Sequence, residues 1–227
     1  ILIVHSKNEQ QKNASNQVQT ARIMANGDLL YHDGLYMSAL QSDGSYDFTE
    51  NFTYVKPWLK QADLVLGDFE GTINPDYPLS GYPLFNAPQS VTAAIKDAGY
   101  DVMDLAHNHI LDSGLEGAFT TADAFKKVGI DPIGVYEKPV RDKAPLLIKN
   151  VNGIKVAILS YAYGYNGLES NLTDKEVADH LSNLDEKRMK AEIQRAEKEA
   201  DITVIMPQMG VEYRLEPTDE QVKLYHK

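Results

Sequence analysis

From Ala21 onward the sequence alternates between short apolar runs of strand length and longer stretches with helical spacing. A strand hidden on both faces reads as continuous apolar sequence and needs helices or a second sheet to cover it. Ala21 to Gly27 reads as a strand ending at Asp28, and Asp63 to Gly67 (DLVLG) as a fully buried one. Asp101 to Ala106, Asp131 to Val135 and Ile202 to Met206 are further strands. Between them, Gln89 to Ala98 places Val91, Ala94, Ile95 and Ala98 at i, i+3, i+4 and i+7, with Gly99 as a stop. Gly114 to Val128 puts Leu115, Ala118, Phe119, Ala122, Phe125 and Val128 on one face, and Asp185 to Ala200 does the same with Met189, Ile193, Ala196 and Ala200. Tyr54 to Ala62 is predicted to be a short helix with Pro57 in its first turn, and Trp58 is expected in the core. Leu146 to Ile148 and Ile154 to Ser160 flank Asn152-Gly153, a hairpin signal. Pro217 to Lys227 begins a last helix. This order predicts one α/β domain from Ala21 to Lys227, with helices packed on the sheet faces.

Composition narrows the function. The 227 residues hold 22 basic and 33 acidic side chains, a net charge of -11. A chain so acidic gains nothing from a phosphate backbone, which excludes a nucleic-acid partner, whereas a bound cation relieves its self-repulsion. The absence of Cys excludes disulfide scaffolds, thiolate zinc sites and cysteine nucleophiles. At the amino end, the apolar Ile1 to Val4 precedes a polar, Gln- and Asn-rich segment from Ser6 to Thr20. That order reads either as a flexible tether over residues 1–20 following a removed membrane anchor, or as a plain floppy terminus.

Ligands of α/β folds sit beyond the carboxyl ends of the strands. There the sequence places Asn26-Gly27-Asp28, then Gly67-Asp68-Phe69-Glu70-Gly71, then His107-Asn108-His109 with Asp112, and finally Gln208 to Tyr213 with Glu212. A single such Asp is a turn former or a cap. Four polar strand ends point to a shared cation, because clustered anions repel unless one neutralises them. Oxygen and imidazole donors suit Mn, Fe, Zn or Mg. In an extended segment His107 and His109 share one side; in a tight turn Asn108 and His109 reach the site together. Asp112 is placed to cap the following helix, to orient a histidine, or both. Tyr161, Tyr163 and Tyr165 (SYAYGYNG) either line a groove or pack onto the core. If these strand ends were merely turns and caps of a binding domain, Asp28, Glu70 and His109 would lie far apart.

The strings NGDLLYH, ADLVLGDFEGTI, AGYDVMDLAHNHILDSG and GVEY resemble, in order, the CapA (PgsA) family of poly-gamma-glutamate or capsule synthesis proteins. That family belongs to the metallophosphoesterase-like superfamily. The resemblance implies a four-layer α/β sandwich with a divalent metal (Mn, Fe or Zn) at the strand ends. It implies Asp28, Asp68, Glu70 and Asn108 as metal ligands, His109 as the group that protonates a leaving group, and Asp112 as its orienting partner. His107, Gln208 and Glu212 fall in secondary or substrate positions. It also implies a membrane-anchored protein with its domain outside the cytoplasm, acting on an anionic cell-surface polymer or its precursor beside membrane-bound synthesis machinery. A non-catalytic polymer-binding or assembly role on the same fold is the alternative. The sequence departs from the family strings at His107 and Asp68, where Asn is usual, and at Gln208, where His is usual. The family's closing GxHPH motif is not reached by Lys227, so the carboxyl-terminal part of the sandwich is expected to be missing from this chain.

Overall fold

The computed structural model describes residues 2–5, 18–139, 145–211 and 213–226. Of the tether expected over residues 1–20, Leu2–His5 instead form a strand paired antiparallel with the strand that opens at Thr20, and residues 6–17 lie outside the described ones. The elements run β1 (Leu2–His5), β2 (Thr20–Asp28), α1 (Asp33–Ser38), α2 (Lys56–Leu59), β3 (Leu64–Asp68), α3 (Val91–Ala98), β4 (Val102–Asp104), α4 (Gly114–Lys127), β5 (Asp131–Ile133), β6 (Leu147–Val151), β7 (Ile154–Ala162), α5 (Asp174–His180), α6 (Glu186–Glu199), β8 (Ile202–Gln208) and α7 (Asp219–Tyr225).

Among the described residues these strands form two sheets, ordered β1-β2-β3-β4-β5 and β6-β7-β8. In the first, β2 to β5 are parallel and β1 adds antiparallel at the edge. In the second, β6 and β7 form the predicted hairpin, turned at Asn152 and Gly153, whose φ angles of 53° and 89° are the left-handed values a two-residue turn needs. β8 joins β7 in parallel.

Three apolar cores separate four layers. Between the sheets, Ile23, Leu64, Leu66, Val102 and Ile133 meet Val151, Ile154, Val156 and Ile158. On the outer face of the first sheet, Val91, Ile95 and Ala98 of α3 and Ala118, Ala122 and Phe125 of α4 cover Val65, Phe69 and Met103. On the outer face of the second, Met189 and Ala196 of α6 cover Ala157, Leu159 and Tyr161. The chain is thus a helix–sheet–sheet–helix sandwich. DLVLG reads as unbroken apolar sequence because both faces of β3 are covered, and β3 is buried throughout.

One expectation fails. Trp58 is not in the core: its residue is 62% exposed, while its neighbour Leu59 packs inward. Consecutive helical residues point about 100° apart, so in a four-residue helix only one of the two can face the core. Among the described residues no helix is long and apolar enough to cross a membrane.

Candidate metal centre

The register of the parallel strands builds the site. Asp28 at the end of β2 pairs in register with Asp68 of β3, and Asp68 with Asp104 of β4. Three carboxyl-bearing residues therefore stand at one level across adjacent strands, roughly 4.8 Å apart. Glu70 follows two residues after β3, and the turn after β4 carries Asn108, His109 and Asp112. Gln208 arrives from β8, in the other sheet. Asp28, Asp68, Glu70, Asp104, Asn108 and Gln208 line one cleft of about 550 Å³, together with Asn26, Tyr163 and Met209. A roomier groove of about 1030 Å³ runs between α5 and α6, but it mixes Lys187, Arg188 and Arg195 with Glu169, Asp174, Asp185 and Glu192 and lacks convergent ligands. Chemistry, not size, locates the centre. Asp104 is the residue that sequence reading passes over, although it closes an apolar strand just as Asp28 and Asp68 do.

Asp28 is hydrogen-bonded to both Asp68 and Glu70. Burial and the neighbouring Asp104 and Asp28 push the Asp68 carboxyl far above the usual carboxylate range. Burial and the Asp28 hydrogen bond do the same to Glu70, with His109 opposing. Burial raises Asp104 against the pull of the Ala106 N–H, which donates to its Oδ1 at 2.8 Å. Among the described residues no three His, Asp or Glu groups surround a common point with metal-ligand geometry. The carboxyls face one another instead, an arrangement that shared protons or a cation must stabilise. The Asp68 Oδ1 is buried without a hydrogen-bond partner. A set of carboxyls with an amide oxygen is the donor chemistry of a hard divalent cation, and these residues fit one.

His109 stands at the edge of this group. Its Nδ1 lies 2.8 Å from Asp112 Oδ2, which also accepts the Phe85 N–H at 2.6 Å. The acceptor assigns the proton to Nδ1 and leaves Nε2 as the working atom, 3.9 Å from Glu70 Oε1. The Phe85 ring meets the imidazole edge to face at 4.8 Å. Asp112 does not cap α4; Ser113 occupies that position. The separation expected of mere turns and caps is therefore absent.

Residues 107–113 form a turn in which Asn108 lines the cleft, His109 approaches Glu70 from behind the lining, and His107 points away into the interior. His107 is wholly buried, and burial pushes its imidazole down to about 3. Its Nδ1 accepts the His109 N–H at 3.2 Å, which supports the turn. Gly134, at the end of β5, presses on the start of this turn: a Cβ there would lie 2.5 Å from Ala106 N, and its φ is +94°. Tyr161 and Tyr165 are buried in the core, whereas Tyr163 is half-exposed on the cleft wall. Glu212 lies outside the described residues.

A four-layer α/β sandwich with carboxylates and a His–Asp pair at the ends of its parallel strands defines a metallophosphoesterase-like fold. A Staphylococcus aureus structure described as a 5'-nucleotidase, solved with alpha-ketoglutarate, superposes with a TM-score of 0.53 at 14% identity, over 86% of this chain and 39% of that one. The chain belongs to the family described as bacterial capsule synthesis protein PGA_cap, whose family model matches residues 22–227. Among its relatives, the capsule biosynthesis protein CapA of Bacillus anthracis is 30% identical over 182 residues, covering 76% of this chain and 43% of that protein. The PGA biosynthesis protein CapA of Bacillus subtilis is 27% identical over 176 residues, covering 76% of this chain and 46% of that protein. The chain thus spans less than half the length of these two curated relatives.

Proposed function

We propose that the protein acts in capsule or poly-gamma-glutamate synthesis as a metal-dependent hydrolase on an anionic cell-surface polymer or its precursor. The observation that carries this reading is the meeting of the Asp28, Asp68 and Glu70 carboxyls with the Asp112-oriented His109 beside one cleft. Asp28, Asp68, Glu70 and Asn108 are the residues that hold the cation, Mn, Fe or Zn. Once bound, such an ion polarises a substrate oxygen and acidifies a bound water. His109, with its proton fixed at Nδ1, exchanges protons with the reacting group through Nε2, and Asp112 stabilises the charged ring. Half-exposed Tyr163 offers an apolar face to the substrate. The relatives' roles in capsule and PGA biosynthesis support the polymer as substrate and membrane-bound synthesis machinery as partner. Anchoring at the cell membrane with the domain outside the cytoplasm belongs to this reading through the capsule-synthesis relatives and not through the apolar Leu2–Val4, which pair with β2.

Full-length protein with Mn²⁺, tested on the isolated polymer and on a generic phosphodiester, is expected to turn over at least one of them. His109→Ala is expected to lower that rate by roughly 10²- to 10⁴-fold. Protease accessibility on intact cells reads the placement in the same preparation. No turnover with any divalent metal favours the second reading, a non-catalytic polymer-binding or assembly component. One observation points that way: Gln208, from β8, hydrogen-bonds Asn108 at both ends of its amide.

A further inference from the structure

We propose that Phe85 is a positioning residue: its backbone N–H fixes Asp112 and its ring fixes the tilt of His109, so that Nε2 keeps its place beside Glu70. The inference deepens the hydrolase reading above, which gives His109 the proton transfer, and rests on it. The Phe85 N–H donates to Asp112 Oδ2 at 2.6 Å, the same oxygen that faces His109 Nδ1 at 2.8 Å. One acceptor atom serves both partners, so a shift of Phe85 moves the oxygen that orients the imidazole. The terminal torsion of a histidine is broad, and one hydrogen bond at Nδ1 does not set the tilt of the ring. The Phe85 ring does: it meets the imidazole at 4.8 Å and 88°, within the range of a favourable edge-to-face contact.

Phe85 is itself firmly held. Its carbonyl accepts the Thr72 N–H at 3.1 Å and the Thr72 hydroxyl at 2.8 Å. Ser113 Oγ donates to that hydroxyl at 2.8 Å, which ties the end of the histidine turn to the same residue. Next along the chain, Asn86 Nδ2 donates to the carbonyls of Asn74, Tyr77 and Pro78, and its Oδ1 accepts the Asn74 N–H at 2.7 Å. These bonds close residues 72–86 into a strap that ends on Phe85. The Phe85 side chain is buried, with the His32 and Tyr82 rings also against it. Gly71 permits the close approach: its φ is +134°, and a Cβ there would lie 3.1 Å from Phe85 Cβ. Gly71 stands between Glu70 and Thr72, so the segment that carries Glu70 also grips Phe85. The 3.9 Å between Glu70 Oε1 and His109 Nε2 is thereby set through one short piece of backbone.

Nuclear magnetic resonance of metal-free, full-length protein reads the imidazole without reference to activity. Phe85→Leu keeps the backbone N–H and an apolar side chain but removes the ring. Phe125→Leu, in the core beside Phe69, is the control for lost packing alone. The unaltered protein and Phe125→Leu are expected to show a sharp His109 Nδ1–H resonance, and Phe85→Leu to lose it to exchange with water. With Mn²⁺, on whichever of the polymer and the generic phosphodiester is turned over, Phe85→Leu is expected to lower kcat by roughly tenfold to a hundredfold with KM within about twofold. Phe85→Tyr keeps the ring and is expected to restore both readings. A resonance as sharp in Phe85→Leu as in the control overturns the role given to Phe85, and so does a loss that Phe125→Leu shares equally. The unaltered protein alone supplies a further test: absence of cross-relaxation between the Phe85 and His109 rings overturns the role too. No turnover by the unaltered protein with any divalent metal overturns the hydrolase reading, and the resonance still decides the part of Phe85.

Discussion

At the scale of single residues, the pairing of His109 with Asp112 separates charge from geometry. Asp112 Oδ2 accepts from both His109 Nδ1 and the Phe85 N–H, while Asp112 Oδ1 is buried with no partner. With its amide oxygen in the Oδ2 place, Asp112→Asn keeps both hydrogen bonds and removes the negative charge. Its NH2 takes the buried Oδ1 place, where it finds no acceptor and costs about 1–3 kcal/mol of stability. Turnover is expected to fall by roughly tenfold to a hundredfold, less than the loss from removing the imidazole itself. The imidazole limb of the pH–rate profile should move to lower pH, because a nearby anion favours the protonated ring. An unchanged profile would deny Asp112 its part. Residues of this kind were partly legible in the sequence. Asp28, Asp68 and Glu70 follow apolar runs and fall under the strand-end rule. Asp104 escaped it because its strand, Val102–Asp104, was read as running on to Ala106, which placed the acid inside the strand and not at its tip. The Gln208–Asn108 pairing joins residues one hundred positions apart on different sheets, and no local pattern encodes it.

At the scale of elements, periodicity was a good guide where a helix was long enough to show several turns. In α4 the predicted apolar face is the observed one, and Phe125 is fully buried with its ring 5.1 Å from that of Phe69. Phe125→Ala is expected to destabilise by about 3–5 kcal/mol, since it empties the interface between α4 and the first sheet. In α2 a single turn offers no periodicity, and the large apolar side chain was assigned to the wrong side. Trp58→Ala is expected to change stability by less than about 0.5 kcal/mol, as at an ordinary surface position. Denaturant midpoints of the two variants, measured side by side, test both statements. A costly Trp58→Ala would mean that this face is covered in the intact protein. α1 and α5 were missed for the same reason as Trp58: they are six and seven residues long, too short to carry a hydrophobic stripe.

At the scale of the whole molecule, the first sheet concentrates acid in a chain already at -11. The folded protein therefore holds protons that its unfolded chain would release. Asp68 is pushed up to about 9 and Glu70 and Asp104 each to about 8, from ordinary values of 3.8 to 4.5. For groups raised on folding, the stabilising contribution is complete below the unfolded value and is lost as the pH rises through the folded one. With a chelator present, the melting temperature should accordingly fall as the pH climbs from about 5 towards 9. His107 works in the opposite direction: it is held down to about 3, so its contribution is lost only as the pH drops below the ordinary histidine value of 6.5. A divalent cation replaces the shared protons, so saturating Mn²⁺ should raise the melting temperature more at pH 8 than at pH 5 and flatten the alkaline slope. Melting curves at pH 5, 7 and 9, with chelator and with Mn²⁺, make the comparison. A chelated protein whose stability is level across that range would show that the carboxyls ionise freely, and the cleft would then lack the stored charge that a metal site requires.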